Sequence, residues 1–249
     1  MELFAKNALG EHIALCGMIG GSKEKPMPLK HIGNGFMIQE DNVACEFNIP
    51  VCENEDQFAL YFGIMRTEIE KILAKLNLHI STEASVSFAQ TQLTHPNALV
   101  FGCEPDYNAW SMEENKKPHA KDEKLRTAGG HIHVGTDIDM VRGVRLMDLF
   151  LGVPAILMDD SPSSVARREL YGKAGAMRPK PYGFEYRVLS NFWMFKEELT
   201  RWVYKQTALA CGYYGEIKEK EGELITECIN TGNKELAQKL VTKYGITLA

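Results

Sequence analysis

Gly129-Gly130-His131-Ile132-His133-Val134-Gly135 decides how this chain is read: a side-chain period of two puts the imidazoles of His131 and His133 on one face and Ile132 and Val134 on the other. Two more segments share the pattern. In Phe184-Glu185-Tyr186-Arg187-Val188, Glu185 and Arg187 stand against Phe184, Tyr186 and Val188. In Val43-Ala44-Cys45-Glu46-Phe47-Asn48-Ile49, Glu46 opposes the row Val43, Cys45, Phe47 and Ile49. Each reads as an antiparallel strand with one face in the core. A solvated face is usually filled with Thr, Lys, Ser and Gln, whereas here the outward positions hold Glu, His, His, Glu and Arg, beside glycines that leave room for close approach. The expectation is one sheet face that gathers these five side chains into a functional site.

Carboxylate and imidazole without thiolate suit Mg²⁺ or Mn²⁺, and Zn²⁺ where several imidazoles converge. No histidine follows His133, so the third, downstream imidazole of a cupin-like site is missing. Next comes a basic island. From Arg167 to Arg187 the cations Arg167, Arg168, Lys173, Arg178, Lys180 and Arg187 face only Glu169 and Glu185, in a chain whose net charge is −5. Arginine forks suit phosphate, and Tyr171-Gly172-Lys173-Ala174-Gly175-Ala176 is expected to form a turn whose amides cradle a polyphosphate.

Further out, Leu3 to Ala5, Ile13 to Cys16, Ser85 to Phe88 and Ala98 to Phe101 read as strands. Asn54 with Gln57 predicts a helix start, and Phe58, Tyr61, Phe62, Met65, Ile69, Ile72, Leu73 and Leu76 recur at helical spacing behind it. Helices are expected at about 140–151, 163–171, 196–210, 216–228 and 234–243, with Gly152, Gly172, Gly212 and Gly245 just beyond their ends. Residues 111–125, with eight charges in fifteen positions around Pro118, read as a loop.

No repeat or long linker appears in the 249 residues, so they read as a single domain, 1–249, with a helical C-terminal part from about residue 195. The excess of 33 acidic over 28 basic residues argues against nucleic acid as a partner. The longest apolar run, residues 146–158, is broken by Asp148, Gly152 and Pro154, so no membrane association is expected. The start Met1-Glu2-Leu3-Phe4 has no secretory signature, and a cytoplasmic location follows, the host cytoplasm if the protein is phage-encoded. Six cysteines without metal or disulfide spacing read as free thiols.

The ordered blocks Gly20-Gly21-Ser22-Lys23, Gln39-Glu40-Asp41-Asn42, Glu46-Phe47-Asn48-Ile49-Pro50, Gly102-Cys103-Glu104-Pro105-Asp106-Tyr107-Asn108, Arg126-Thr127-Ala128-Gly129-Gly130-His131-Ile132-His133-Val134-Gly135 and Glu185-Tyr186-Arg187 resemble the phage-encoded carboxylate-amine (COOH-NH2) ligases of type 2. The likeness runs to about Trp193. It implies the α+β fold of the glutamine synthetase and glutamate-cysteine ligase superfamily, a curved antiparallel β-sheet with flanking helices. It also implies ATP with Mg²⁺ or Mn²⁺ as cofactors, and small-molecule or peptide carboxylate and amine substrates. By motif, Glu2, Glu46, His131 and Glu185 would be metal ligands. Arg167, Arg168, Lys173 and Arg178 would hold the nucleotide phosphates, Arg187 would meet the transferred phosphoryl group, and Glu104, Asp106 and His133 are candidates for the base that takes the amine proton. Relatives often form rings, so a homo-oligomer is compatible with the reading.

The implied reaction is ATP-dependent amide-bond formation through an acyl phosphate. Two alternatives share the residues: a metal-dependent amide hydrolase, which would not need the arginines, and a catalytically inactive ligase-like binding protein. The second is suggested by the N-terminus, where Glu2 stands for the Glu of an Asp-Pro-Glu motif whose first two residues are absent.

Overall fold

The helix expected after residue 54 forms as read: Asn54 accepts the Gln57 backbone N–H at 2.9 Å, and α1 runs Glu55–Ala74. The structure, a computed structural model, describes residues 1–99, 106–116 and 122–249. Before this helix lie β1 (Glu2–Lys6), β2 (His12–Ile13), β3 (Met27–Pro28), β4 (Met37–Asp41) and β5 (Ala44–Asn48). After it come β6 (His79–Ser81), β7 (Ser85–Ser87), α2 (Pro96–Leu99), β8 (Tyr107–Asn108), β9 (Leu125–Thr127) and β10 (Ile132–Gly135). The order continues with α3 (Met140–Met147), α4 (Val153–Met158), α5 (Pro162–Leu170), β11 (Ala176–Lys180), β12 (Gly183–Tyr186), α6 (Glu197–Gly212), α7 (Glu219–Thr231) and α8 (Lys234–Tyr244). The fold is α+β, all strand pairs among the described residues are antiparallel, and helices flank the sheets.

The chain divides into two compact units made of interleaved segments: among the described residues, 1–99, 122–129 and 191–201 form the first, and 106–116, 130–190 and 202–249 the second. In the first unit, β2-β1-β5-β4-β3 form a sheet, β6 also pairs with β1, and β7 pairs with β9. Helix α1 buries Phe62, Met65, Ile69 and Leu73. Phe62 meets Phe47 of β5 at 5.9 Å and Trp193 at 4.9 Å between ring centroids, so the apolar face read for residues 43–49 is packed. Each such side chain, fully buried, contributes roughly 2 kcal/mol. Removing the cap should loosen this helix: Asn54→Ala is expected to cost ~1 kcal/mol, read as a melting temperature lower by about 2–4 °C, and an unchanged melting temperature would show that the cap carries no stability.

In the second unit the sheet order is β10-β12-β11-β8. Its apolar face, with Ile132, Val134, Phe184 and Tyr186 buried, packs on α3, where Gly143 gives the Phe184 ring room.

Two local expectations are corrected. The strand expected at Ala98 is instead the short helix α2, begun by Pro96 and a His95 ring nitrogen that accepts the Asn97 N–H at 3.2 Å; residues 100 and 101 lie outside the described residues. The helix expected to stop at Gly152 runs on through a π-turn, Asp148–Gly152, into α4. Gly152 is there for space: a Cβ would lie 2.7 Å from Ile229 Cδ1 and 2.8 Å from the Tyr186 hydroxyl. The charged loop expected from residue 111 is tied at its start, where Glu114 bridges Tyr107 and the Asn115 N–H reaches Asp106 O at 2.8 Å; residues 117–121 lie outside the described residues.

Cys16, Cys45, Cys52, Cys211 and Cys228 are free thiols, and Cys103 lies outside the described residues. Among the described residues no helix is long and apolar enough to cross a membrane.

Candidate functional site

Strand pairing in the second unit aligns the chemistry. His133 stands opposite Glu185, and Glu185 opposite Arg178, so side chains from three strands form one row on one face. The adjacent row is continued by Arg187, whose N–H bonds Ala176 O at 3.0 Å, and by Asn108 of β8, which pairs with Ala176. The alternation read at His131/His133 and at Glu185/Arg187 is therefore the alternation of this sheet.

Arg187 is the centre of the cluster. Its Nη1 donates to Glu185 Oε1 and lies 3.2 Å from His131 Nδ1, and its Nε is 3.4 Å from Asp106 Oδ2. Asp106 Oδ1 in turn accepts the Asn115 amide at 2.9 Å, and Lys180 Nζ reaches Glu185 Oε2 at 3.0 Å. His131, Glu185 and Arg187 are all buried. Burial by itself would raise the Glu185 carboxyl; Arg187, then His133 and Lys180, outweigh it and hold the group at about 2. Burial, helped by the Arg187 charge, pushes the His131 imidazole well below its ordinary value, so it is neutral. A guanidinium only donates, so the contact with Arg187 uses the Nδ1 lone pair and leaves the ring proton on Nε2. His133 is exposed, with Nδ1 2.6 Å from the Tyr182 hydroxyl.

In the first unit, Glu2 of β1 pairs with Glu46 of β5, and Glu46 with Gln39 of β4. Two carboxylates directly opposite each other, with Cβ atoms about 5 Å apart, repel unless a cation or donors lie between. Gln39 Nε2 donates to Glu46 Oε2 at 2.6 Å, and Glu2 Oε2 accepts the Gly129 N–H at 2.7 Å. Glu2 is held in place: its own N–H bonds Gly129 O at 3.0 Å, and the Met1 ammonium bonds Phe47 O at 3.1 Å.

The expectation that one sheet carries all five polar side chains is corrected, because both edges of β5 are taken by β1 and β4, which leaves Glu46 in a different sheet from His131, His133, Glu185 and Arg187. Among the described residues no three His, Cys, Asp or Glu side chains come together as a metal cage. The polyphosphate cradle expected at residues 171–176 is also corrected. Two of its central amides are engaged within the protein: the Ala174 N–H bonds Asn230 Oδ1 at 2.9 Å, and the Gly175 N–H bonds Asp148 Oδ2 at 2.6 Å.

The four cations assigned to nucleotide phosphates do not all share one place. Arg178 is on the sheet face. Buried Arg167 donates to Val188 O at 3.1 Å. Arg168 pairs with Asp159 at 3.7 Å, and it and half-buried Lys173 line a separate cleft between α5 and α7, of about 370 Å³. Glu104 lies outside the described residues.

Reading by strand gave Gln39 and Tyr182 no part in the site, and Lys180 a part only in the basic island. Gln39 was within reach, since Asn42, in the left-handed region at φ 54°, turns a hairpin whose register sets Gln39 against Glu46. Tyr182 carried no signal of its own.

An α+β chain with antiparallel sheets, flanking helices and this carboxylate, imidazole and arginine face is consistent with a ligase-like fold. Residues 123–244 match the family model described as phage phiEco32-like COOH-NH2 ligase, type 2. The match takes in His131, His133, Glu185, Arg187 and the C-terminal helices, where no motif was read, while Glu2, Glu46 and Asp106 precede it. No curated protein and no solved structure matches the chain.

Proposed function

We propose that the protein is an ATP-dependent carboxylate-amine ligase that forms an amide through an acyl phosphate. The observation that carries this is Arg187 fixed between Glu185 and Asp106 on a sheet face it shares with Arg178 and His133, inside the stretch that matches the ligase family apart from Asp106. A carboxylate does not react with an amine in water because its oxygen is a poor leaving group. When a carboxylate oxygen attacks the γ-phosphorus, the bond to the β-phosphate breaks and an acyl phosphate forms. The amine nitrogen then bonds to the acyl carbon, its proton passes to a base, and phosphate departs. Negative charge accumulates in both steps, and fixed cations that need no reorganisation stabilise it most effectively.

Arg187 and Arg178 are the groups for that charge. Glu185 and Asp106 restrain the Arg187 guanidinium, so its orientation is set before substrate arrives. Of the candidate bases, Asp106 is occupied by Arg187 and Asn115, whereas exposed His133 has Nδ1 against Tyr182; His133 is the better placed to take the amine proton.

Glu185 is engaged by two cations and His131 faces a guanidinium, a poor setting for a divalent ion. Glu2 and Glu46, with the Gln39 amide beside them, are hard oxygen donors whose mutual repulsion a cation would relieve, and they fit Mg²⁺ or Mn²⁺. When bound, the ion would supply neutralising positive charge.

Incubation with ATP, Mg²⁺, hydroxylamine and pooled carboxylic acids is expected to yield hydroxamate and phosphate together. Absence of turnover, together with absence of nucleotide binding by calorimetry, would overturn the reading. Glu46→Gln should raise the Mg²⁺ concentration for half-maximal activity by about tenfold or more, in line with the loss of one carboxylate ligand; an unchanged requirement would remove Glu46 from the cation site.

A further inference from the structure

One buried carboxylate has no part in the chemistry above. Asp148 begins the π-turn after α3 and is fully inaccessible to solvent. Its Oδ2 accepts the Trp110 indole N–H at 2.7 Å and the Gly175 backbone N–H at 2.6 Å, and its Oδ1 accepts the Tyr186 hydroxyl at 2.8 Å. Three donors from three separate segments meet on one side chain. The two oxygens of one carboxyl group accept all three at once; an asparagine would bring one oxygen and two competing N–H groups.

Each donor is next to a residue of the site. Trp110 lies four positions beyond Asp106, Gly175 three positions before Arg178, and Tyr186 between Glu185 and Arg187, its ring on the opposite, core face of the strand. The Trp110 segment is braced further: Arg145 stacks over the indole at 5.0 Å, Arg145 Nε donates to Ala109 O at 2.9 Å, and Asn108 Nδ2 to Ala174 O at 3.1 Å. Gly222 and Gly152 both leave space here, since a Cβ at Gly222 would sit 2.5 Å from the Trp110 ring and one at Gly152 2.8 Å from the Tyr186 hydroxyl. Burying a carboxylate is costly, and an apolar side chain in its place would pack without that cost. What the carboxylate adds is a fixed separation between segments. Asp106 and Arg187, 3.4 Å apart, belong to two of the segments it ties.

We infer that Asp148 is the positioning residue of this site: from beneath the sheet it holds the segments that carry Asp106, Arg178 and the Glu185–Arg187 pair at the spacing that sets Arg187 between two carboxylates. The catalytic part of this inference rests on the ligase reading; the structural part does not.

Asp148→Asn and Tyr186→Phe, each in the full chain, test it by backbone hydrogen exchange and by hydroxamate kinetics. In both variants, peptides covering 106–110, 174–178 and 183–187 should exchange at least tenfold faster while those from α8 stay unchanged. The turnover number should fall at least tenfold in Asp148→Asn, and less in Tyr186→Phe, with KM for ATP within threefold of the parent. Faster exchange spread evenly over the second unit, no change in exchange, or kcat and KM shifting together would overturn it. Should Asp148→Asn fail to fold, Tyr186→Phe, which keeps the carboxylate and two of its donors, decides on the same criteria. Should the parent protein show neither ligase turnover nor nucleotide binding, the ligase reading falls and the exchange pattern alone decides the role of Asp148.

Discussion

Arg187→Ala is expected to lower turnover by about 10²–10³-fold, the loss typical when one preorganised donor to developing charge is removed, while nucleotide affinity measured by calorimetry changes by no more than about threefold. The asymmetry follows from the geometry. Glu185 and Asp106 pin the guanidinium on the sheet face, so its contribution is greatest where charge develops during transfer and small where the ground-state nucleotide is bound. Equal loss of kcat and of affinity would remove this role. The same change should also weaken the fold, because it leaves the buried Glu185 carboxylate with less compensation; breaking a buried pair from one side costs about 3–5 kcal/mol.

Linkage gives that destabilisation a direction in pH. Glu185 is depressed to about 2 in the folded protein, so its share of stability is present above the ordinary carboxylate range and is lost as pH falls through about 2. In Arg187→Ala the carboxyl should titrate higher and that stability should be lost earlier on acidification. Arg187→Lys separates the two effects. It keeps a charge beside Glu185, and so most of the stability, but lacks the fork that reaches Glu185 and Asp106 together, so turnover should still fall at least tenfold.

What the sequence disclosed, and what it hid, divides along the range of the interactions. Period-two alternation is local, and it placed His131, His133, Glu185 and Arg187 on one face correctly, because neighbours along a strand cannot choose their faces independently. Helix starts were legible for the same reason: Asn54 caps as read. Which strands pair is set by partners far apart in the chain, and there Glu46 was assigned to the wrong sheet. Composition misled at residues 171–176, since a glycine-rich turn beside arginines looks the same whether its amides face a phosphate or, as at Gly175, a carboxylate of the protein itself. Asp148 was visible only as an interruption in an apolar run. Its three donors lie 38 residues before it and 27 and 38 residues after it, and nothing local to Asp148 announces them.

That interruption has a measurable consequence for stability. Burial pushes the Asp148 carboxyl up to about 7, against the donors from Trp110, Tyr186 and Gly175 that favour its ionised form. The groups that face it are the Trp110 indole, the Gly175 amide and the Tyr186 hydroxyl. Of these only Tyr186 titrates, and burial together with Asp148 holds it well above its ordinary value, so it stays a donor throughout. A carboxyl raised on folding binds its proton more tightly in the native state than in the unfolded chain. Its contribution is therefore fully present below the unfolded value near 3.8 and is lost as pH rises through about 7. Between pH 5 and pH 8 the parent protein should lose on the order of 3 kcal/mol relative to Asp148→Asn, at about 1.4 kcal/mol per unit over the window in which only the unfolded state has released its proton. Urea denaturation of both proteins at the two pH values measures this difference of differences, from which every titration common to the two proteins cancels. A parallel pH dependence would mean that Asp148 is already ionised at pH 5, its three hydrogen bonds outweighing the cost of burial.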